Sequence, residues 1–257
     1  MAASPRPEIR ELDQMDEFEA AVGVLCRAWG AENALDLINA STLCAMAMAR
    51  NYVAGIFVQG EMVGAAVAFR GPDHLHLHIA GVLPGQQNLG LGYRLMEHER
   101  DWAVAEGLSS IQWTFDPLVR RNAYFYLTKF PVTVQSYRRN LYGSLTDGVN
   151  DGDDTDRLVV AWEFGAGRPA PGLAPVDAPF DPGFWDFGRS SVALLPVEDG
   201  AVLLVPTPAD IDALRTKDPD LARTWRIGVR AGFQKALGSG YRVTGFSADG
   251  WYVLRPQ

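Results

Sequence analysis

Val82-Leu83-Pro84-Gly85-Gln86-Gln87-Asn88-Leu89-Gly90-Leu91-Gly92 is the stretch on which the reading of this chain turns. Upstream of it, Leu75, Leu77 and Ile79 alternate with His74, His76 and His78 at the two-residue period of a strand. Downstream, Leu91, Leu95, Met96, Trp102 and Ala103 recur at helical spacing until Gly107 ends the helix. Between strand and helix, glycines let backbone N–H groups come close to an anion. The unpaired donors and positive dipole end of the helix favour phosphate there. The stretch therefore reads as a pyrophosphate cradle, and a coenzyme bearing a diphosphate is its natural occupant. A dinucleotide-binding fold opens in a similar way but wants a third glycine where Leu95 stands, and the Gly-Lys-Ser/Thr ending of a P-loop is missing. A structural glycine turn without a ligand is the remaining alternative.

Composition frames that reading. With 257 residues, 47% hydrophobic and 21% charged, the chain can bury one large core or two modest ones. Its 23 basic and 31 acidic side chains leave a net charge of -8, and no basic stripe interleaves with aromatics, so nucleic acid is a poor partner. Met1 to Asp13 lacks a basic region followed by an apolar run, and no uninterrupted apolar run is long enough to span a bilayer. The expectation is a cytoplasmic protein with no membrane partner. Cys26 and Cys44, the only cysteines, stand apart from any Cys/His cluster and read as buried thiols in a reducing compartment, with no metal site.

Periodicity and turn chemistry give the order of elements. A strand over Ile9 to Leu12 precedes a helix marked by Phe18, Val22, Leu25, Cys26 and Trp29, and a second helix covers about Leu35 to Arg50. Tyr52 to Val58 and Met62 to Phe69 form a hairpin around Gln59-Gly60-Glu61, ahead of the histidine strand, the cradle and its helix. Ser110 to Phe115 is a strand ending at Asp116-Pro117. Asn122 to Phe130 is a short helix, Val132 to Tyr142 a strand, and Leu158 to Phe164 a further strand.

The spacing Gln-x-x-Gly-x-Gly after Val-x-Pro, here Gln87, Gly90 and Gly92 behind Val82 and Pro84, resembles the acyl-CoA-binding motif of the GNAT acyltransferase superfamily. The element order through residue 165 resembles the complete order of that fold. The resemblance implies an α/β class: a mixed central sheet flanked by helices, with a smaller C-terminal α+β region. The acyl-CoA, acetyl-CoA or a relative, would be a co-substrate held by Gly81, Val82, Leu83, Gln87, Asn88, Leu89, Gly90, Leu91, Gly92 and Tyr93, with Asn122 from the short helix. Longer runs, Gly81 to Pro84, Trp113 to Val119, Arg121 to Phe125, Trp225-Arg226 and Gly240 to Val243, resemble one subgroup of predicted GNAT acyltransferases that keeps the C-terminal region. Some of its members go with N-acylation of amino acids, including by succinyl-CoA, ahead of racemisation.

The resemblance also assigns chemistry. An amine attacks a thioester only when neutral, so a base is required. His76 and His78 share a strand face, and their offset from the cradle is similar to the histidine pair that relays the amine proton in arylalkylamine N-acetyltransferase; their unperturbed pKa of ~6.5 suits the task. A merely polar strand face is the other reading. In the superfamily a backbone N–H at the position of Val82 holds the thioester carbonyl. The usual general acid is a Tyr two residues before a Lys that matches Lys129, which puts Leu127 where the Tyr belongs and leaves Tyr124 as the candidate, with core packing as its alternative. Asp116, at a strand end, is a candidate proton acceptor or ammonium partner, or a turn residue.

The rest of the chain divides into a Pro/Gly-rich linker, 166–186, and a region 187–257. Val202 to Val205 is a strand, Thr207 to Asp210 and Asp218-Pro219 start helices, and Tyr241 to Phe246 with Trp251 to Leu254 make a hairpin. The second helix carries an apolar stripe, Leu221, Trp225, Val229, Phe233 and Leu237, expected to dock on the first region or on a second subunit, as in a homodimer. A partial second GNAT unit and an unrelated cap domain both fit this order. Arg138 and Arg139, or Arg226 and Arg230, are candidates to clamp a substrate carboxylate. The aspartates between Asp147 and Asp156 do not fit an EF-hand loop and read as a solvated turn. The function so read is CoA-dependent N-acylation of a small-molecule amine, an amino acid best of all. A non-catalytic acyl-CoA sensor and a GNAT-fold enzyme of another reaction type are the alternatives.

Overall fold

The computed structural model describes residues 7–31, 37–143, 153–165, 167, 193–197 and 200–257. Contacts divide the chain into two compact units, the first ending at Trp113 and the second starting at Thr114. Strand β5 (Ser110–Phe115) runs across that boundary. Apart from Gly167, the expected linker lies outside the described residues.

The first unit contains β1 (Glu8–Glu11), α1 (Met15–Trp29), α2 (Ala40–Met48), β2 (Tyr52–Val58), β3 (Glu61–Arg70), β4 (His74–Val82) and α3 (Leu91–Ala105). Its strands follow the order β1-β2-β3-β4-β5, antiparallel except for β4 with β5. Alternation along each strand supplies two apolar faces. Leu12, Val53, Ala65, Val67 and Ile79 pack with Phe18, Ala21 and Leu25 of α1 and with Leu43 and Met46 of α2. Tyr52, on the opposite face from Val53, meets α3: its hydroxyl lies 2.8 Å from His98 Nδ1 and its ring 5.4 Å from that of Trp102. Helix α2 begins later than its periodicity implies because Asn39 caps it, accepting from Thr42 N at 2.9 Å. Leu35 lies outside the described residues.

The second unit contains α4 (Arg120–Lys129), β6 (Thr133–Arg138), β7 (Arg157–Glu163), β8 (Ala193–Val197), β9 (Gly200–Pro206), α5 (Ile211–Lys217), α6 (Pro219–Gly238), β10 (Tyr241–Phe246) and β11 (Trp251–Pro256). In this unit β6 pairs antiparallel with β7, and β10-β11-β9-β8 form a separate antiparallel sheet. Strand β6 stops at Arg138, short of Tyr142, because Asn140 takes a left-handed φ of 44° and turns the chain. Strand β8 was not anticipated. Asp210 caps α5, accepting from Ala213 N. A partial second GNAT unit does not fit the pairing. In the first unit the strand before two helices, β1, pairs with the first strand after them, β2; in the C-terminal region β9 pairs with the second strand after its helices, β11.

The buried face of α6 is also rotated from the expected stripe. Ala222, Trp225, Arg226, Val229, Gly232, Phe233 and Ala236 are buried, whereas Leu221 is exposed. Small residues let the helix approach closely, and an arginine takes a core position.

Candidate functional site

The cradle is built by three residues with positive φ. Pro84 and Gly85, with φ of 86° at Gly85 and a 3.0 Å bond from Gln86 N to Leu83 O, close a turn of the kind that needs glycine at its third position. Asn88 follows at φ 63° and Gly90 at φ 75°, where Gly90 is the N-cap of α3 and contributes no side chain to cap it. Gln87, Asn88, Leu89 and Gly90 are exposed, Leu91 is buried beneath them, and Tyr93 is partly exposed on the first turn. Because the helix N-terminus is not capped by a side chain, its leading N–H groups are open to an anion.

Strand β4 leads into this turn with one irregularity that alternation alone could not reveal. Val67 pairs with Ile79 but the next residue, Ala68, pairs with Leu77, so His78 is the extra residue of a bulge. His76 sits opposite Phe69, and the ring of His78 packs against Phe69 at 5.4 Å, so both histidines flank one half-exposed phenylalanine. His78 is open to solvent on one side and packed on the other. Partial burial pushes its pKa below the ordinary histidine value, and burial together with the neighbouring His78 and His74 does the same for His76. His74 instead bonds Asp73 at 2.8 Å.

Ahead of the bulge, the parallel ladder with β5 pairs His74 to His76 with Ser110 to Gln112 and ends there. Leu83 N donates to Val63 O at 2.8 Å, which makes 83 with 63 a hydrogen-bonded pair of the antiparallel ladder. By the alternation of that ladder, the N–H and C=O groups of Val82 and Ala80 point away from β3. The Ala80 carbonyl accepts from Trp29 Nε1 at 3.1 Å. Gly81 serves this packing: a Cβ there would lie 2.7 Å from Ala28 Cβ and 3.4 Å from Trp29 Nε1.

In the second unit, Asp116 is buried, and its position argues against its expected role as proton acceptor. Arg226 grips it with both Nη atoms, at 2.8 Å to Oδ1 and 2.7 Å to Oδ2, Arg215 Nη2 reaches Oδ2 at 2.6 Å, and Leu118 N donates to Oδ1. Burial alone would raise its pKa, but the guanidiniums of Arg226, Arg215 and Arg157 hold it far below the ordinary carboxylate range. A carboxylate so stabilised is a structural anion. Nor do Arg226 and Arg230 wait for a substrate. Arg226 also bonds Asp153 at 2.8 Å, and Arg230 bonds Asp156 at 2.7 Å and Asp154 at 2.6 Å. Asp156, fully buried, further accepts from the Tyr137 hydroxyl and from Asn140 N. The described end of the aspartate-rich segment is therefore ion-paired rather than solvated. Arg138 and Arg139 are exposed.

Helix α4, also in the second unit, carries the remaining candidates. Tyr124 is exposed, Asn122 is half-buried at the start of the helix, and Tyr126 packs on Phe115 and Phe125. Leu127, where the resemblance asks for Tyr, is in the core. Two residues singled out by the structure carried no sequence signal of their own. They are Trp29, read as one of a helix's apolar positions, and Glu99 of α3, fully buried with no partner for either carboxylate oxygen. Cys26 and Cys44 are free and only half-buried. Among the described residues no His/Cys/Asp/Glu group could hold a metal, and no helix is long and apolar enough to cross a membrane.

Residues 13–130 match the model of the acetyltransferase (GNAT) family. Among solved structures, the chain is similar to the ribosomal-protein-S18-alanine N-acetyltransferase from Escherichia coli, with 21% identity and a TM-score of 0.50 over 65% of this chain and 99% of that one. It is similar to an acetyltransferase of the GNAT family from Streptococcus pneumoniae, with 17% identity and a TM-score of 0.50 over 62% and 100%. A third likeness is to the ribosomal-protein-S5-alanine acetyltransferase from Vibrio fischeri, with 12% identity and a TM-score of 0.50 over 64% and 99%. At these identities the likeness concerns the fold. No curated protein matches the chain.

Proposed function

The chain belongs to the GNAT acetyltransferase superfamily, and from that premise we propose that it moves an acetyl or other short acyl group from CoA to the amine of a small molecule. The carrying observation lies in the first unit: an α3 N-terminus without a side-chain cap, entered through left-handed Gly85, Asn88 and Gly90, directly follows the bulged strand β4. The cradle residues Gln87 to Gly92 would hold the diphosphate of the acyl-CoA co-substrate, whose thioester supplies the acyl group.

The chain's own groups then divide the work. His78, with His76 beside it, takes the amine proton as the N–C bond forms and the C–S bond breaks. The depressed pKa keeps imidazole neutral, and so able to accept, from below the ordinary histidine value upward. The Val82 N–H, turned away from β3, donates to the carbonyl oxygen as it gains charge. With Leu127 in the core, the thiolate, of pKa about 8.5, leaves without a protein acid. That same Leu127 favours the second reading, an acyl-CoA-binding protein without turnover.

An amino acid as acceptor loses the support of Arg226 and Arg230, whose donors serve Asp116, Asp153, Asp154 and Asp156. The test is release of free CoA from a series of acyl-CoAs against matched amino acids and their decarboxylated amines, with wild type and His78→Ala compared over pH. Turnover should rise with pH through an apparent pKa below ~6.5, and His78→Ala should lose turnover while keeping acyl-CoA affinity. Binding without turnover would favour the sensor, and an unchanged profile in His78→Ala would remove His78 from the chemistry.

A further inference from the structure

The Ala80 carbonyl stands on the edge of β4 turned away from β3, and the ladder with β5 ends four residues earlier, at His76. A carbonyl in that position lacks the partner that a regular sheet would supply. In the first unit it is met from outside the sheet by the indole of Trp29, the last residue of α1, at 3.1 Å. The surroundings are shaped for this contact. Gly81 has no side chain to push Ala28 and Trp29 away, and Gly30, at φ 65°, turns the chain off immediately after the indole.

Ala80 lies two residues from His78 and two from Val82. The Ala80 carbonyl and the Val82 N–H project from the same edge of the strand, separated only by the peptide groups around Gly81. A glycine is the residue least able to fix those peptide planes by itself. We propose that Trp29 is a positioning residue for acyl transfer, its indole N–H holding the Ala80 carbonyl and thereby the orientation of the Val82 N–H. This role rests on the acyltransferase reading above. The bond keeps the donor in place before the carbonyl oxygen arrives, which is the condition for a preorganised donor to lower the barrier.

Trp29→Phe separates the bond from the packing, because the ring remains against Ala28 and Gly81 while the N–H is lost. A misplaced donor costs rate rather than binding. The variant should therefore lower kcat by about 10- to 100-fold, with KM for acyl-CoA and amine and the pKa of the rate profile unchanged. Without any ligand, the backbone amide resonances of Gly81 and Val82 should shift in nitrogen-edited NMR spectra, while those of β2 stay in place. A Trp29→Phe enzyme with wild-type kcat, or unshifted Gly81 and Val82 amides, overturns the role of Trp29 and leaves the acyltransferase reading standing. A wild type with no turnover on any acyl-CoA overturns both.

Discussion

Replacing Glu99 with glutamine should make the stability of the first unit far less dependent on pH. Glu99 is fully buried on the face of α3 that also carries Leu95, Met96 and Ala103, and neither carboxylate oxygen has a hydrogen-bond partner. Burial raises its pKa from 4.5 to about 8, and Tyr52 has its own pKa raised first by burial and then by Glu99. Since the folded value exceeds the unfolded one, the native state holds this proton more tightly. The contribution to stability is fully present below the unfolded pKa of 4.5 and is lost as pH rises through about 8. At about 1.4 kcal/mol per unit the whole span amounts to about 5 kcal/mol, of which about 3 kcal/mol is already lost at pH ~7. Glutamine has the same shape and never ionises. Urea unfolding of both proteins from pH ~5 to ~9 should therefore show the variant gaining on the wild type by about 4 kcal/mol. Histidines and surface carboxylates titrate in both proteins and cancel in the difference. A difference between the two that stays flat over that range would refute the reasoning.

Gly90→Val should forfeit acyl-CoA affinity in calorimetry and cost about 1 to 2 kcal/mol of stability, all of it from forcing a side chain into the left-handed region, since the space around the position is open; unchanged affinity would detach the cradle from CoA. Arg226→Met should destabilise the second unit by about 3 to 5 kcal/mol in chemical unfolding, because Asp116 and Asp153 stay buried with fewer cations. A loss below about 1 kcal/mol would mean the cluster contributes little. A chain ending at Asp186 should fail to fold its second unit, since Asp116, Asp153 and Asp156 would lose Arg215, Arg226 and Arg230 together. Recovery of that shortened chain as a soluble, folded monomer would contradict the coupling.

How legible the fold was follows from the range of the forces involved. Ser110–Phe115 is found as read, and α6 starts where Asp218-Pro219 said it would, with Asp218 accepting from Leu221 N, because strand alternation and helix capping act over a few residues. The turn that opens α3 is legible for the same reason: left-handed glycines and a helix N-terminus without a side-chain cap are properties of one short segment. The bulge at His78 was not, since an extra residue in one strand appears only against its partner's register.

The amino-acid sequence by itself determined the order of elements through β7 and the left-handed turn that opens α3, matters of local geometry, whereas the candidate base His78 came from a resemblance. Only the tertiary structure decided which charges are spent and which are free. Arg226 and Asp116 lie 110 positions apart, so nothing in the spacing of either could announce the other. Read alone, Arg226 and Arg230 were candidate clamps for a substrate, Asp116 a candidate base and the aspartate run a solvated turn. A charged side chain can leave water only when an opposite charge arrives to meet it, and that arrival is settled by the packing of helices and strands distant in the chain.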